Sequence, residues 1–349
     1  MQVTDFRCLQ AVELELDPRF TLISGVNGSG KTSLLEAIYL LGRGRSFRTR
    51  RTARLIRSAA DHFIVFGDVE RDGIRMPLGI EGRDDRLRVR IGGRDVRSVV
   101  ELALHFPVQI IDPEVHKLIE EGPSHRRRFL DWGVFHVEPK FFEHWQRYRQ
   151  ALSQRNAALK AGQREELIRI WNPELLEAGV EIADARDRYL RSFAPYAAES
   201  IKRLLGLELE LQYRPGWNQE FSFDEGLRRS EVLDRQRGAT QIGPHRADLL
   251  IRMDGSLARE RISRGQQKLV AAALLVAQLR CFPNKTPVRP TLLLDDPAAE
   301  LDAEHLQRLI DEVGLVETQL VITTLDDNFP AFGQPGARFR LAQGKLMSP

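Results

Sequence analysis

Phe20-Thr21-Leu22-Ile23-Ser24-Gly25-Val26-Asn27-Gly28-Ser29-Gly30-Lys31-Thr32-Ser33 decides how the rest of the chain is read. Gly25 to Thr32 fits G-x-x-x-x-G-K-[ST], a loop that wraps phosphate groups in backbone N–H donors. A pattern this short arises by accident, so its flanks must decide. Thr21-Leu22-Ile23 is a β-prone run, and residues 33–41 space their apolar side chains as a helix does, with Gly42 as a stop. Strand, glycine loop and helix together are the context the motif needs. A glycine-rich turn before an ordinary helix is the bland alternative, and that context argues against it. Gly25, Gly28 and Gly30 let the backbone turn inward, Asn27, Ser29 and Ser33 belong to the same cradle, and the helix N-terminus adds partial positive charge. Lys31 is expected on the β- and γ-phosphates and the Thr32 hydroxyl on Mg²⁺. The expectation is a nucleoside triphosphate site.

Such a loop needs a metal-holding acid on a neighbouring strand. Thr291-Leu292-Leu293-Leu294-Asp295-Asp296 offers a hydrophobic strand ending in two carboxylates. Asp295 is placed to hold Mg²⁺ directly or through water, and Asp296 to orient or deprotonate the attacking water. The alternative is an aspartate capping the next helix. Upstream, Ser263-Arg264-Gly265-Gln266-Gln267-Lys268 precedes a long apolar helix over 269–279. This resembles the Ser-x-Gly-Gln signature of the ABC class of ATPases. In that class the signature serine and the N–H groups of its helix N-terminus grip a γ-phosphate. Val321-Ile322-Thr323-Thr324 looks like the class's last strand, with the γ-phosphate switch at Thr323 or Thr324. The class completes the phosphate site of one subunit with the signature of another. An ATP-dependent homodimer is therefore implied, with Ser263, Gly265 and Gln266 serving the partner's nucleotide.

Outward from the loop, Arg43, Arg45, Arg48, Arg50, Arg51, Arg54 and Arg57 crowd a stretch with no acidic residue. A solvated basic face and a phosphate or nucleic-acid contact are both open readings. Residues 62–111 read as a β-meander, with a hairpin turn at Arg71-Asp72-Gly73 and with Arg86, Arg88 and Arg90 on one outward strand face. From Asp112 the texture is helical. Aromatic and aliphatic stripes over 141–160 and 174–205 suggest an antiparallel helical arm, bent at Pro195. Strand texture returns at 207–213. The expected division is a head of 1–111 and 207–349 with an inserted arm of 112–206.

Composition sets the outer bounds. Over 349 residues, 42% hydrophobic and 29% charged is the balance of a globular protein. No apolar run approaches the roughly 20 residues that span a bilayer, so no membrane partner is expected. The first residues lack a secretory signal pattern, and Cys8 and Cys281 form neither a disulfide framework nor a metal-ligand spacing, which points to the cytoplasm. Net charge is only +3, so the clustering of arginine matters more than the balance.

Six stretches in order carry a fuller resemblance. They are Asp5-Phe6-Arg7, the phosphate loop, Gly44-Arg45-Ser46-Phe47-Arg48-Thr49, Arg126-Arg127-Arg128-Phe129-Leu130-Asp131, Gly243-Pro244-His245-Arg246-Ala247-Asp248 and the signature. Over essentially its whole length the chain resembles the RecF family of bacterial recombination and repair proteins, relatives of the SMC heads. The resemblance implies an α/β fold: an ABC-type P-loop ATPase head, with a mixed sheet core and an antiparallel meander lobe, plus an inserted helical arm. It implies ATP and Mg²⁺ as cofactors, weak DNA-stimulated hydrolysis, and binding to single-stranded DNA and single-strand/duplex junctions. It further implies action with RecO and RecR, indirectly on RecA, in SOS induction, and association with the nucleoid. Carried over by position, Gln109 would contact Mg²⁺ and water, Arg7 would flank the nucleotide, and Arg45, Arg48, Arg50, Arg51, Arg54, Arg126 and Arg127 would meet DNA. The chain departs from the pattern at Asp296, where transporters carry glutamate, and at Ala299, where the family more often has serine. His245 is read either as a turn residue, with Arg246 paired to Asp248, or as a ligand.

Overall fold

Three strands with almost no exposed residue, Phe20–Ser24, Thr291–Asp295 and Gln319–Thr324, lie side by side at the centre of a six-stranded sheet. Their near-continuous Leu, Ile and Val content suits a parallel sheet covered on both faces. The order across it is Lys345–Met347, Ala337–Ala342, Phe20–Ser24, Gln319–Thr324, Thr291–Asp295, Val108–Ile111. Every neighbour is parallel except the closing hairpin of the first two. The computed structural model describes residues 1–71, 73–96, 98–282, 289–326, 329 and 333–347. Its contacts divide the chain into two units, 1–115 with 284–349, and 116–283.

The first unit holds a second, antiparallel sheet in the order Leu9–Glu13, Gln2–Phe6, His62–Arg71, Ile74–Arg83, Arg86–Ile91, Arg94–Val96. This is the meander lobe. Arg86, Arg88 and Arg90 are exposed while Val89 between them is buried, and Arg88 and Arg90 pair with Asp95. The turn at 71–73 joins two of these strands, with Asp72 itself outside the described residues. The first residues make three strands, the Arg7-Cys8 turn folding Leu9–Glu13 back on Gln2–Phe6 before Phe20–Ser24. Asp17 then accepts the N–H groups of Arg19 and Phe20 at 2.8 and 2.9 Å, starting the strand before the phosphate loop. Between the sheets lies the helix Lys31–Arg43. Leu34, Leu35 and Ile38 share one core with Phe6, Phe63 and Val65 of the meander and Leu293 and Val321 of the mixed sheet.

In the second unit Phe141–Lys160 packs along Asn172–Leu205, a helix of 34 residues that runs on through Pro195. Tyr148, Ile182, Tyr189 and Phe193 are buried, as their spacing predicts. Residues 207–283, expected in the head, divide with the helical unit. The reason is the helix Arg264–Arg280, apolar on nearly every side and buried against Asn172–Leu205. A small sheet of Ser256–Leu257, Asp248–Met253 and Glu210–Arg214 completes the unit. No helix among the described residues is long and apolar enough to cross a membrane.

Candidate nucleotide site

Parallel register brings the ends of three strands together. Thr323 pairs with Asp295 on one side and with Ile23 on the other, so the loop, acid and switch strands finish at one edge. In open α/β sheets that edge is where ligands bind. The chain leaves it through Gly25, where a Cβ would lie 2.4 Å from the Leu341 carbonyl oxygen, and re-enters the helix through Gly30 at φ 111°. Neither position accepts a side chain without strain. Around Gly28 a Cβ would meet nothing within 4 Å, so the loop is open on that side. The N–H groups of Lys31, Thr32 and Ser33 begin the helix and have no intrahelical acceptor. The Ser29 hydroxyl is buried with no hydrogen-bond partner among the described residues. Lys31 is 7% exposed, and its ammonium donates to the carbonyls of Gly25 at 2.6 Å and Val26 at 3.2 Å. Asn27 is exposed at the loop tip, while Ser33 is buried beside Cys8.

Thr32 and Asp295 meet across 263 positions of sequence: the hydroxyl lies 3.1 and 2.9 Å from the two carboxylate oxygens. Thr323 donates to Asp295 at 2.8 Å and accepts the Asp296 N–H at 3.0 Å, which fixes both acids. Thr323 is thereby tied to the acid strand, whereas the Thr324 hydroxyl accepts the N–H of Asp326 at 3.2 Å. Asp296 sits in the left-handed region at φ 47°, a conformation that costs a non-glycine residue about 1 kcal/mol or more and that persists mainly at functional sites. Burial raises its carboxyl above the ordinary 3.8; Lys31 opposes the rise, and Asp295 and Glu300 add to it. The cradle fits a phosphate chain: open-loop N–H groups, an orphaned hydroxyl and a buried ammonium. The Thr32–Asp295 pair fits a hard cation that takes its other oxygens from phosphate and water. Among the described residues no three His, Cys, Asp or Glu side chains form a metal cluster of their own.

Of two further expected residues, one stands away from the acid end and the other is already engaged. Gln109 is level with Leu292, three residues short of Asp295, which is ~10 Å along a strand. Side chains alternate across a sheet, so Gln109 shares a face with Leu292 and Leu294, and Asp295 with Leu293. The strand's own continuation places Asp112, not Gln109, next to the acid end. Arg7 does not lie free beside the loop. Its guanidinium grips Glu36 bidentately at 2.9 and 2.8 Å and donates to the Arg54 carbonyl at 2.9 Å.

Sequence reading passed over Glu36, which looks like one polar residue in an apolar helix. It is fully buried, and besides Arg7 it takes the Ser46 hydroxyl and Arg48. The arginine stretch is thus tied to the phosphate-loop helix through one carboxylate. Removing it in Glu36→Ala strands the Arg7 guanidinium. We expect a loss of ~3 kcal/mol in urea unfolding, the usual cost of breaking a buried pair from one side. A loss under ~1 kcal/mol, the range of surface pairs, would show the hub to be ornamental.

The signature residues form a helix cap. Ser263 accepts the Gln266 N–H at 3.3 Å, and the Gln266 side chain accepts the Ser263 N–H at 2.9 Å, a capping box. Ser263, Arg264, Gly265 and Gln266 are all exposed. Gln267, buried behind them, donates to the Ile262 and Arg259 carbonyls and fixes the turn. Here a helix N-terminus is presented outward.

Arg45, Arg48, Arg50, Arg51 and Arg54 are exposed, and of these only Arg48 has an ion pair among the described residues. Arg57 pairs with Asp5. Arg126, expected at a DNA surface, is instead 7% exposed. It holds Asp248 bidentately at 2.8 and 3.0 Å and donates to the Glu121 carbonyl. Asp248 therefore belongs to Arg126 and not to Arg246. Arg127 is half-buried.

Comparison with known proteins adds three findings. The model of the RecF/RecN/SMC N-terminal domain family matches residues 1–335. The DNA replication and repair protein RecF of Thioalkalivibrio sulfidiphilus (strain HL-EbGR7) is 42% identical over 340 residues, 95% of this chain and 94% of that one. Among solved structures, the recombination mediator protein RecF with ATP, of the RecFOR pathway, is similar with a TM-score of 0.89. It is 29% identical, over 99% of this chain and 95% of its own. An Smc head bound to the C-winged helix domain of ScpA is similar in fold alone, at a TM-score of 0.60 and 17% identity, covering 100% of this chain and 96% of that one.

Proposed function

The chain belongs to the RecF/RecN/SMC N-terminal domain family and within it to the RecF proteins, and from that we propose that it is an ATP-gated DNA-binding protein of replication and recombinational repair. The observation that carries the reading is the meeting of Thr32 with both oxygens of Asp295, a ligand pair assembled from two distant motifs. ATP is the nucleotide, as in the solved RecF neighbour, and Mg²⁺ the cation that neutralises charge on the phosphates when bound. Lys31 holds the phosphates, Thr32 and Asp295 the cation, and Asp296 orients and deprotonates the attacking water. Gln109 has no part in this reading, because its register places it on the other face of the sheet.

Ser263, Gly265 and Gln266 face outward to serve the nucleotide of a second copy, so ATP closes a homodimer. The shorter reach of Asp296, compared with a glutamate, supports slow hydrolysis that releases the dimer. Arg45, Arg48, Arg50, Arg51 and Arg54 meet the DNA backbone, at single strands and single-strand/duplex junctions. RecO and RecR are the partners and RecA the indirect beneficiary, in the cytoplasm at the nucleoid. Nothing among the described residues resembles a base-reading helix, so affinity rests on phosphates.

Phosphate release by the purified protein, with and without gapped duplex, tests the activity. DNA is expected to accelerate turnover, and Asp296→Asn to reduce it ~100-fold or more, the contribution of a positioned base. Turnover indifferent both to DNA and to that substitution would leave a nucleotide-regulated protein scaffold as the better account.

A further inference from the structure

The segment Gly243-Pro244-His245-Arg246-Ala247-Asp248 is anchored from beneath at nearly every residue. Gly243, at φ 122°, donates to the Gly216 carbonyl at 3.0 Å, and a Cβ on it would come within 2.5 Å of the Tyr148 hydroxyl. The Pro244 carbonyl accepts from Arg186 at 2.8 Å. Nδ1 of His245 is 2.6 Å from the Tyr148 hydroxyl and Nε2 is 3.0 Å from the Thr240 carbonyl oxygen. Burial pushes this imidazole down to about 4, so at neutral pH it is an uncharged post. The Ala247 carbonyl accepts from Arg127 at 2.7 Å, and Asp248 takes Arg126. Only Arg246 points into solvent. Six neighbours hold rigid a turn whose one outward side chain is a guanidinium, which within the protein donates only at long range, to the Gln241 side-chain oxygen at 3.5 Å, among the described residues.

The neighbouring carboxylates are already engaged. Asp248 is bidentate with Arg126, and Asp131 is bidentate with Arg186 at 2.8 and 3.1 Å. Neither Arg127 nor Arg246 has an ion pair among the described residues. Arg127 hydrogen-bonds the residue next to Arg246, and its charged form is disfavoured first by burial and then by Arg186 and Arg246, with Asp131 and Asp248 only partly offsetting. Two guanidinium groups that feel each other's charge, with the nearest carboxylates already committed to Arg126 and Arg186, gain from an anion that joins them.

We propose that Arg127 and Arg246 form a phosphate clamp on the 116–283 unit that takes a phosphodiester of the DNA backbone. The clamp rests on the DNA-binding reading and adds a second contact region to the arginine stretch of the other unit. Arginine suits the task because its planar fork meets phosphate oxygens in pairs. A free nucleotide is the poorer fit. There is no glycine-rich loop of N–H donors here like that at 25–32, and the nearby ring of Tyr148 is buried in the frame. Contacts of this kind position a duplex without reading its sequence.

The test measures binding of the full-length protein, with ATP and Mg²⁺, to a labelled gapped duplex by anisotropy across a KCl series. Arg127→Gln/Arg246→Gln is expected to reduce the log–log salt slope by ~0.9, the one phosphate contact that the clamp makes, and Arg246→Gln by part of that. Arg246→Lys should keep the slope while weakening binding. Because Arg246 is exposed, its substitution leaves the buried frame in place, and thermal melting on the same samples verifies this. Wild-type affinity and slope in both glutamine variants would overturn the clamp. If in the same series Arg50→Gln/Arg51→Gln/Arg54→Gln loses slope, the DNA reading stands without the clamp. If the wild type itself fails to bind DNA, the reading and the clamp fall together.

Discussion

Lys31→Met is expected to weaken ATP binding by at least ~100-fold while leaving the fold intact. Lys31 is 7% exposed and, among the described residues, its ammonium bonds only two loop carbonyls, so on the proposed reading it is poised to meet phosphate charge. A hydrogen bond to a charged group contributes ~1.5–3 kcal/mol, and two such bonds to phosphate oxygens exceed the ~2.8 kcal/mol that a hundredfold represents. Methionine keeps the length and apolar stem of lysine, so the packing beside Gly25 survives and the melting temperature should move little. Titration with a fluorescent ATP analogue reads the affinity directly. A variant within threefold of wild type would mean that the loop does not bind a triphosphate, and the dimer and DNA readings would lose their switch.

Ser263→Arg should separate binding from assembly. The serine caps the helix Arg264–Arg280 at an exposed turn, in a different unit from Lys31. ATP affinity of the variant's own loop is expected to stay as in wild type. ATP-dependent pairing, followed by sedimentation velocity with Mg²⁺, is expected to vanish, because a long cationic chain replaces the small hydroxyl that the proposed dimer brings to a partner's γ-phosphate. Loss of the capping box alone costs ~1 kcal/mol of helix stability. Ser263→Asn, which retains a good cap, controls for that term. Normal pairing by Ser263→Arg would sink the trans-completed site.

These two experiments probe residues that could be named from sequence, whereas the Glu36 and Arg246 experiments could not have been designed without the fold. Glu36 sits five positions after Lys31, on a helix whose other side chains are mostly apolar. Only its encounter with Arg7, Ser46 and Arg48 turns it from an oddity into a hub. The carry-over of Gln109 failed for a related reason. A strand's alternation is visible in sequence, but which residue lies level with Asp295 depends on pairing with a segment more than 180 residues away. Arg126, Arg127 and Arg128 read alike in a row, yet the fold buries the first against Asp248 and leaves the second half-exposed, with no ion pair among the described residues.

By itself the sequence determined the phosphate loop, the acid strand, the signature cap and the alternating helical and meander textures. Each of these is contiguous, and its chemistry follows from backbone conformations that a few adjacent residues impose. Tertiary structure alone decided which carboxylate neutralises which arginine, which face Gln109 takes, and where the chain divides between its two units. Those outcomes turn on register and on the burial of charge among residues far apart in the chain. A buried guanidinium is stable only beside a carboxylate that folding brings to it, and the guanidinium left without one becomes the surface that can accept an anion.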